Sequence, residues 1–435
     1  MNSFSERDKK HLWHPLTQHK THPSHIAITR AKGVMLYDED NNGYIDGIAS
    51  WYTCMYGHCN EHIIKRVSSQ LQQLDQVVFS GFTHQPAVEM SEALMGILPS
   101  NQQKIFFSDN GSTSVDVALK MALQTQFNQG FKKTKIIALE DAFHGDTFGA
   151  MSASGLSVYN GPFEDFLLAI DRIEVPTQEN FDSVKHKFLQ LISTEKVAAF
   201  IFEPLVQGAN AMHMYEANLL DQLIAIAKEH GVVTIADEVM TGFGKTGKNF
   251  ASDYLENKPD IMCLSKSLTA GVVPMALTTC TQEIYDTFYD DEIKKGFFHG
   301  HTYSANPLGC TAIKAGIELL TSNEMQTNIR RIEEQHLAFE NKIKTNKLVK
   351  STRKLGVIFA LDLDIEMKRY GGLRDALFAF FMERGVCLRP LGNTVYILPP
   401  FVITNKELEK IYTVIEDALV HFQQKQEQSN ILTSI

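Results

Sequence analysis

The sequence lacks any long hydrophobic run, and this absence argues against a helical membrane protein. A membrane-spanning helix needs about 18 or more consecutive apolar residues, and no such run occurs among the 435 residues. The first residues also lack the apolar stretch of a secretory signal. Only six cysteines are present, and no two of them have CxxC spacing. We therefore expect a cytoplasmic protein with reduced thiols and without a disulfide framework.

An excess of positive charge is absent as well. Lys and Arg number 41 against 51 Asp and Glu, which gives a formal net charge of -10. A protein that coats nucleic acid needs a basic face, so this balance disfavours nucleic acid as a partner. Hydrophobic residues make up 44% and charged residues 21%, which is close to globular averages. These values predict a buried core and argue against wholesale disorder, and the charge balance still permits a small basic pocket for an anion.

Short apolar runs alternate with amphipathic stretches through the middle of the chain. We predict buried strands at residues 135–140, 197–205, 232–239, 261–266 and 275–281, and helices at residues 112–127 and 219–231. Strand and helix alternation of this kind predicts an α/β fold with a mostly parallel sheet flanked by helices.

The two ends of the chain have a different pattern. Residues 26–48 predict a hairpin around Asn41, Asn42 and Gly43, and residues from about 352 onward mix short strands with helices. We expect three parts. An N-terminal segment (1–49) contributes to a small domain, residues 50–315 form the large domain, and residues 316–435 form the rest of a small α+β domain.

Asp237 and Lys266 lie at the carboxyl ends of two consecutive predicted strands. The carboxyl ends of parallel strands meet at the edge where such sheets bind ligands. An amine in an apolar setting loses part of its charged form and becomes a better nucleophile. An acid and a lysine in these positions suit pyridoxal phosphate (PLP), whose ring nitrogen needs an acid and whose aldehyde needs an amine. A structural Asp–Lys ion pair explains the same two residues equally well.

The stretch after Asp237 also contains glycine motifs. Gly242, Gly244 and Gly247 have GxGxxG spacing, which is typical of dinucleotide binding. Only about ten residues separate this motif from Pro259, whereas a strand–helix–strand crossover needs a dozen or more. The phosphate-loop pattern fails too, because Asn249 stands where Ser or Thr is required. An NAD(P)-binding oxidoreductase is therefore the more distant alternative.

Other residues suit the remaining parts of a PLP site. Gly111 and Ser112 open a predicted helix, and helix N-termini bind phosphate groups; a plain helix cap is the other interpretation. Phe143 and His144 could stack on an aromatic ring. The histidines near the amino terminus and the Cys54, His58, Cys59, His62 group lack tetrahedral zinc spacing. We expect them to be packed or solvated, and we expect no metal.

Together these motifs resemble the class III, fold-type I, PLP-dependent aminotransferases over nearly the whole chain. The resemblance rests on DNGSTSVDVALKMA, AFHGDTFGAMS, FIFEPLVQG, IADEVMTGFGKTGK, CLSKSLTAG and HGHTYSANPLGC. It implies a PLP enzyme that forms a homodimer with active sites at the subunit interface. Within the family it implies the step of biotin biosynthesis that aminates 8-amino-7-oxononanoate to 7,8-diaminononanoate. The implied amino donor is S-adenosylmethionine, or else lysine, and a broad ω-amino acid or diamine aminotransferase is the alternative.

The resemblance also assigns roles to individual residues. The implied catalytic residues are Lys266, which would bond covalently to PLP and carry protons, and Asp237. The implied cofactor-binding residues are Gly111, Ser112, Phe143, His144, Asp237, Lys266, His301 and Thr302, with Thr302 supplied by the neighbouring subunit. The implied substrate-binding residues are Trp51, Tyr52, Phe143, Asp146, Gly300 and Arg389. The chain departs from members that use S-adenosylmethionine at Leu16, Phe143 and His301, where those members have Tyr, Tyr and Pro.

Overall fold

The computed structural model describes residues 3–22, 25–155, 161–365 and 372–433. Its strands in chain order are β1 (Ile28–Lys32), β2 (Met35–Asp38), β3 (Gly43–Asp46), β4 (Gln102–Ser108), β5 (Lys135–Leu139), β6 (Ile170–Ile173), β7 (Val197–Phe202), β8 (Val206–Gln207), β9 (His213–Met214), β10 (Val233–Asp237), β11 (Ile261–Leu264), β12 (Ala276–Thr281), β13 (Val349–Leu355), β14 (Ile358–Leu363), β15 (Val386–Cys387) and β16 (Thr394–Ile397).

The helices surround these strands. The α-helices span Phe4–His11, Glu61–Leu71, Gln85–Met95, Gly111–Asn128, Phe148–Ala153, Phe181–Ile192, Ala217–Glu229, Gln282–Asp286, Pro307–Leu320, Asn323–Ile343, Gly372–Glu383 and Asn405–Thr433, and a four-residue turn spans Ala49–Tyr52. Short 3-10 helices span Gly161–Phe166, Ala251–Tyr254, Lys266–Thr269 and Ile293–Lys295. Within the described residues, no helix combines the length and the apolar character that crossing a membrane requires.

The central sheet has seven strands in the order β4-β12-β11-β10-β7-β5-β6. The pairs among β11, β10, β7, β5 and β6 are parallel, whereas β12 runs antiparallel to both of its neighbours. Every residue of β7, β10, β11 and β12 is buried, because helices cover both faces and the apolar runs fill the space beneath them. The predicted α/β fold and the five predicted strands are confirmed.

Both chain ends contribute to smaller sheets. β1, β2 and β3 form an antiparallel meander, and β15, from the C-terminal part, pairs in parallel with β3. β13, β14 and β16 form a separate antiparallel sheet. The division at residues 1–49, 50–315 and 316–435 stands as our proposal, and the β3–β15 pairing supports it.

The carboxyl ends of five central strands define the edge where the candidate site lies. These strands end at Ser108, Leu139, Phe202, Asp237 and Leu264. Since parallel strands present these ends at one edge, segments far apart in sequence are brought together there.

Candidate active site

Lys266 lies just beyond the end of β11 and opens the 3-10 helix Lys266–Thr269. Its backbone is in the left-handed region, with φ 51°, a conformation that is strained for a residue with a side chain and that is concentrated at functional sites. Its Nζ lies 5.3 Å from the centroid of the Tyr52 ring. Burial lowers the pKa of Lys266, while the charges of Asp237 and Glu203 oppose that change. The surroundings therefore favour the neutral, nucleophilic amine.

Asp237 is the last residue of β10 and is almost completely buried. Its backbone lies beside Cys263 in the parallel register of β10 and β11. One carboxylate oxygen, Oδ1, accepts a hydrogen bond from the Val239 amide at 3.0 Å. The other, Oδ2, lies 2.7 Å from Nδ1 of His144. These contacts fix the plane of the carboxylate, and they leave Nε2 of His144 buried and without a hydrogen-bond partner among the described residues.

Glu203 is a site residue that the sequence analysis missed. It directly follows β7, is buried, and accepts hydrogen bonds from the amides of Phe143 at 3.0 Å and Gly208 at 3.1 Å. Burial, together with the charge of Asp237, raises the pKa of Glu203 to about 7. The sequence contained a signal for it, because Glu203, like Asp237, is an acidic residue near the carboxyl end of a predicted buried strand. Its contact with the Phe143 amide shows how Glu203 shapes the segment that carries Phe143 and His144.

The N-terminus of helix Gly111–Asn128 points into the same region. Asn110 caps this helix by accepting a hydrogen bond from the Thr113 amide at 3.1 Å. A Cβ atom on Gly111 would lie 2.8 Å from Val239 Cγ1, so only glycine permits this close approach to the strand end of Asp237. Ser112 Oγ accepts a hydrogen bond from the Thr147 amide at 2.8 Å. Gly111 and Ser112 therefore lie in the same region as Asp237 and Lys266, and their phosphate-binding role stays a prediction.

One cavity of about 820 Å³ joins these elements. Nine of the predicted site residues line it, namely Trp51, Tyr52, Gly111, Ser112, Phe143, His144, Asp146, Asp237 and Lys266, and Leu16, Glu203, Met240, Val272 and Leu391 line it too. Its volume lies in the usual range for a site that holds a cofactor and a small substrate. Asp237 and Lys266 therefore share one cavity, as the strand-end argument predicted.

Four predicted site residues do not line this cavity in the single chain. Gly300 and Thr302 are exposed, and His301 is half-buried in the same loop. The carbonyl of Thr302 accepts a hydrogen bond from Gln76 at 3.0 Å, so this loop is held outside the chain's own cavity. Arg389 is exposed, but its guanidinium carbon lies 5.1 Å from the centroid of the Trp51 ring at the cavity wall.

The dinucleotide interpretation of Gly242, Gly244 and Gly247 is wrong. Residues 241–249 form consecutive turns, with no helix after the glycines, and only the short 3-10 helix Ala251–Tyr254 follows. Lys245, inside the motif, is fully buried, and its Nζ donates to the Gly242 carbonyl at 2.6 Å and to Ser267 Oγ at 2.5 Å. A phosphate could not reach this amine, because it is buried and hydrogen-bonded to the Gly242 carbonyl and the Ser267 hydroxyl.

The histidines of both groups contact carboxylates or other histidine rings in the structure. His14 Nε2 lies 2.8 Å from Asp8 Oδ2, and the His14 and His25 rings lie 3.7 Å apart. The donor atoms of these three residues all fall within 4.8 Å of one another, but the carboxylate is hydrogen-bonded to one ring and the rings lie against each other. In the second group, His58 pairs with Asp46 and His62 pairs with Glu318, each at 2.8 Å.

Comparison with known proteins places this geometry in a family. The family model for class-III aminotransferases matches residues 16–419, so the chain belongs to the class-III aminotransferases. It is 41% identical over 420 residues to the adenosylmethionine-8-amino-7-oxononanoate aminotransferase of Synechococcus elongatus, covering 94% of this chain and 98% of that protein.

Two solved structures agree with this assignment. The adenosylmethionine-8-amino-7-oxononanoate aminotransferase of Methanocaldococcus jannaschii superposes with a TM-score of 0.89 at 31% identity, covering 95% of this chain and 98% of that one. An amine transaminase from an uncultivated Pseudomonas species, solved in a PLP-bound form, superposes with a TM-score of 0.88 at 27% identity, covering 94% and 98%. The chain is an aminotransferase of the fold-type I architecture.

The residues of the cavity fit PLP, the cofactor of this enzyme. The cavity offers an amine for the aldehyde, a buried carboxylate for the ring nitrogen and a helix N-terminus for the phosphate. Gly145 has φ 129°, and a Cβ there would collide with Ser112, so the glycine lets this segment approach the helix N-terminus closely. The amine, the carboxylate and the helix N-terminus therefore match the aldehyde, the ring nitrogen and the phosphate of the cofactor.

Proposed function

We propose that this chain transfers an amino group from S-adenosylmethionine to the ketone of 8-amino-7-oxononanoate and so forms 7,8-diaminononanoate for biotin synthesis. The observation that carries the proposal is the shared cavity of Lys266 and Asp237, in a chain that is 41% identical to a protein named for this reaction. Lysine is the second amino donor that the proposal allows.

PLP, when bound, supplies an aldehyde that accepts amino groups and a ring that withdraws electrons from the reacting carbon. Lys266 would bind the aldehyde. Asp237 would keep the ring nitrogen protonated, because its carboxylate is buried and its plane is fixed by the Val239 amide and His144. Gly111 and Ser112 would bind the phosphate at the helix N-terminus, and Phe143, which lines the cavity with His144, would cover one face of the ring.

Proton transfer falls to Lys266. Its Nζ, once the amine is free, would take the proton from the donor carbon and return one to the neighbouring carbon of the cofactor. Burial lowers the pKa of Lys266, which increases the share of the neutral amine that can accept a proton. A positioned acid–base group of this kind contributes about 10²–10⁴ in rate.

The cavity wall would bind the substrates. Trp51 and Tyr52 offer a flat apolar surface for the carbon chain of the keto substrate. Arg389 lies over the Trp51 ring, where its guanidinium would bind the substrate carboxylate in bidentate fashion. Burial raises the pKa of Asp146, and its carboxyl would meet a polar group of either substrate at the cavity edge.

We also propose that the enzyme is a cytoplasmic homodimer. Gly300, His301 and Thr302 lie outside the cavity of their own chain, and a second subunit would bring this loop to the cofactor phosphate and the substrate. Sedimentation of the holoenzyme as a dimer would support this arrangement. A stable, fully active monomer would overturn it.

A broad amine or ω-amino acid aminotransferase is the second candidate function. Leu16, Phe143, Met240 and Val272 give the cavity an apolar wall, and one similar structure is an amine transaminase. Leu16 and Phe143 lack the hydroxyl groups that tyrosines would offer to a polar donor, so less of the wall is specific for S-adenosylmethionine.

The deciding experiment separates the two half-reactions. Purified holoenzyme is mixed in turn with S-adenosylmethionine, lysine, ornithine and a simple amine, and loss of the cofactor's visible band shows which donor reacts. Addition of 8-amino-7-oxononanoate to the reacted enzyme should restore the band and release diaminononanoate, detected by mass spectrometry. Restoration by small keto acids but not by this ketone would contradict the proposal and favour the second candidate.

A further inference from the structure

The cavity wall that carries Trp51 and Tyr52 has an unusual backbone. Ala49, Ser50, Trp51 and Tyr52 have φ values of 47°, 47°, 64° and 73°. Four consecutive non-glycine residues therefore form a left-handed turn, which costs about 1–2 kcal/mol per residue for L-amino acids. Such a turn persists only where surrounding contacts determine it.

Asp46 supplies several of these contacts. It is the last residue of β3, and its side chain is 1% exposed. Oδ1 accepts a hydrogen bond from the Ile48 amide at 3.2 Å, and Oδ2 accepts one from the Ser50 hydroxyl at 2.9 Å. The carboxylate thus binds the residue that precedes the turn and a residue within it.

His58 completes the arrangement from the other side. Its Nε2 lies 2.8 Å from Asp46 Oδ2, and its backbone is bridged to Gly33 by hydrogen bonds of 2.7 Å and 3.0 Å. Burial alone would lower the pKa of His58, but hydrogen bonds with Asp46 and then Cys54 raise it to about 10. His58 is therefore a cation at neutral pH, and it neutralises a carboxylate that would otherwise be buried without a positive charge beside it.

The turn aims two side chains at the reacting region. The Tyr52 hydroxyl donates to the Tyr396 hydroxyl at 2.9 Å, and Lys266 Nζ lies 5.3 Å from the Tyr52 ring. The Trp51 ring lies 5.1 Å from the guanidinium carbon of Arg389. A shift of the turn would therefore move the wall relative to both Lys266 and Arg389.

We propose that Asp46 and His58 are positioning residues, an ion pair that holds the left-handed turn and thereby sets the Trp51–Tyr52 wall against the substrate. The part of this proposal that concerns substrate rests on the proposed function. The part that concerns the turn does not, because it can be followed without catalysis.

Tryptophan fluorescence reports on the turn directly. The chain has two tryptophans, Trp13, which is 91% exposed, and Trp51, which is 43% exposed. A Trp13→Phe background leaves Trp51 as the only emitter. In that background, we compare Asp46→Asn, which keeps the hydrogen-bond acceptor but loses the charge, with His58→Gln, which keeps a donor but loses the charge.

His62→Gln is the matched control. His62, four positions after His58, also pairs with a carboxylate, Glu318, at 2.8 Å, but this hydrogen bond goes to helix Pro307–Leu320 and not to the Ala49–Tyr52 turn. We expect Asp46→Asn and His58→Gln to make Trp51 more accessible to acrylamide, and we expect His62→Gln to leave the quenching unchanged. The double variant should resemble the single variants, because either change breaks the same pair.

Kinetics distinguish a positioning role from general destabilisation. Variants that retain the circular dichroism and visible PLP band of the parent should lose about 10- to 100-fold in kcat/KM, mainly through KM for the keto substrate. Unchanged Trp51 quenching in folded Asp46→Asn and His58→Gln proteins would overturn the proposal. If Trp51 quenching changes but no turnover of the ketone is found even in the parent, the proposed function fails and the role of the ion pair stands.

Discussion

Replacement of Gly111 by alanine tests how the cofactor site is assembled. The added Cβ would lie 2.8 Å from Val239 Cγ1 and 3.2 Å from Cγ2, whereas ordinary contact begins at 3.4 Å. The helix N-terminus or the Val239 segment must therefore move by about 0.6 Å. Overpacking of this kind costs about 1–3 kcal/mol. Because Val239 also binds Asp237 through its amide, the displacement falls on two groups that would hold PLP.

The expected result is weaker PLP binding, by about 5- to 150-fold if the whole cost appears in affinity. The apoenzyme is titrated with PLP and the visible band is followed. Gly161→Ala is the control, since no heavy atom of the described residues lies within 4 Å of a Cβ placed there. Equal PLP affinity of the Gly111→Ala and parent proteins would refute the reasoning, because it would mean that the helix N-terminus does not need its close approach to Val239.

Three further predictions concern single side chains. Lys266→Ala should lower steady-state turnover by at least about 10²–10⁴, and full activity would contradict its role. Arg389→Lys loses the planar fork and should raise KM for the keto substrate by about tenfold or more with a smaller change in kcat; an unchanged KM would exclude the carboxylate contact. For Glu203, whose raised pKa is about 7, the neutral carboxyl stabilises the fold fully below the ordinary value of 4.5, and this contribution is lost as pH rises through about 7. Glu203→Gln cannot ionise at this position. When the pH rises from about 5 to about 8, the free energy of unfolding of the parent should therefore fall by on the order of 3 kcal/mol more than that of the variant. Urea unfolding of both proteins at the two pH values checks this difference, and equal losses of unfolding free energy in parent and variant would count against it.

The sequence determined the position of the site along the chain. Buried strands are recognisable in the sequence as short apolar runs, and the residues at their carboxyl ends must meet at one edge of a parallel sheet. Asp237 and Lys266 could therefore be placed together from the sequence, whereas Gly111 and Ser112 were found as the start of a predicted helix. The same argument extended to Glu203 would have found it, because the acid follows the apolar run of β7 in the same way.

The GxGxxG motif at Gly242, Gly244 and Gly247 fits a dinucleotide loop in its letters, and its short distance to Pro259 argued against that interpretation. The structure agrees with the distance argument, because the backbone continues into turns and bends and not into a helix. Lys245 is drawn inward to the Gly242 carbonyl and to Ser267 Oγ. The inward direction of the Lys245 side chain depends on packing against distant segments, and neither hydrophobic periodicity nor motif spacing predicts it.

What only the tertiary structure decided is how the side chains are oriented. The left-handed turn Ala49–Tyr52 contains no glycine that would have indicated positive φ values from the sequence. It contacts a carboxylate from β3, which in turn pairs with His58 beyond the turn. The buried contact between His144 and Asp237 joins residues 93 positions apart. Local sequence sets which residues are apolar and where strands end, because those properties act over a few neighbours. The direction of a ring or a carboxylate is set by partners that only the folded chain brings within hydrogen-bond distance.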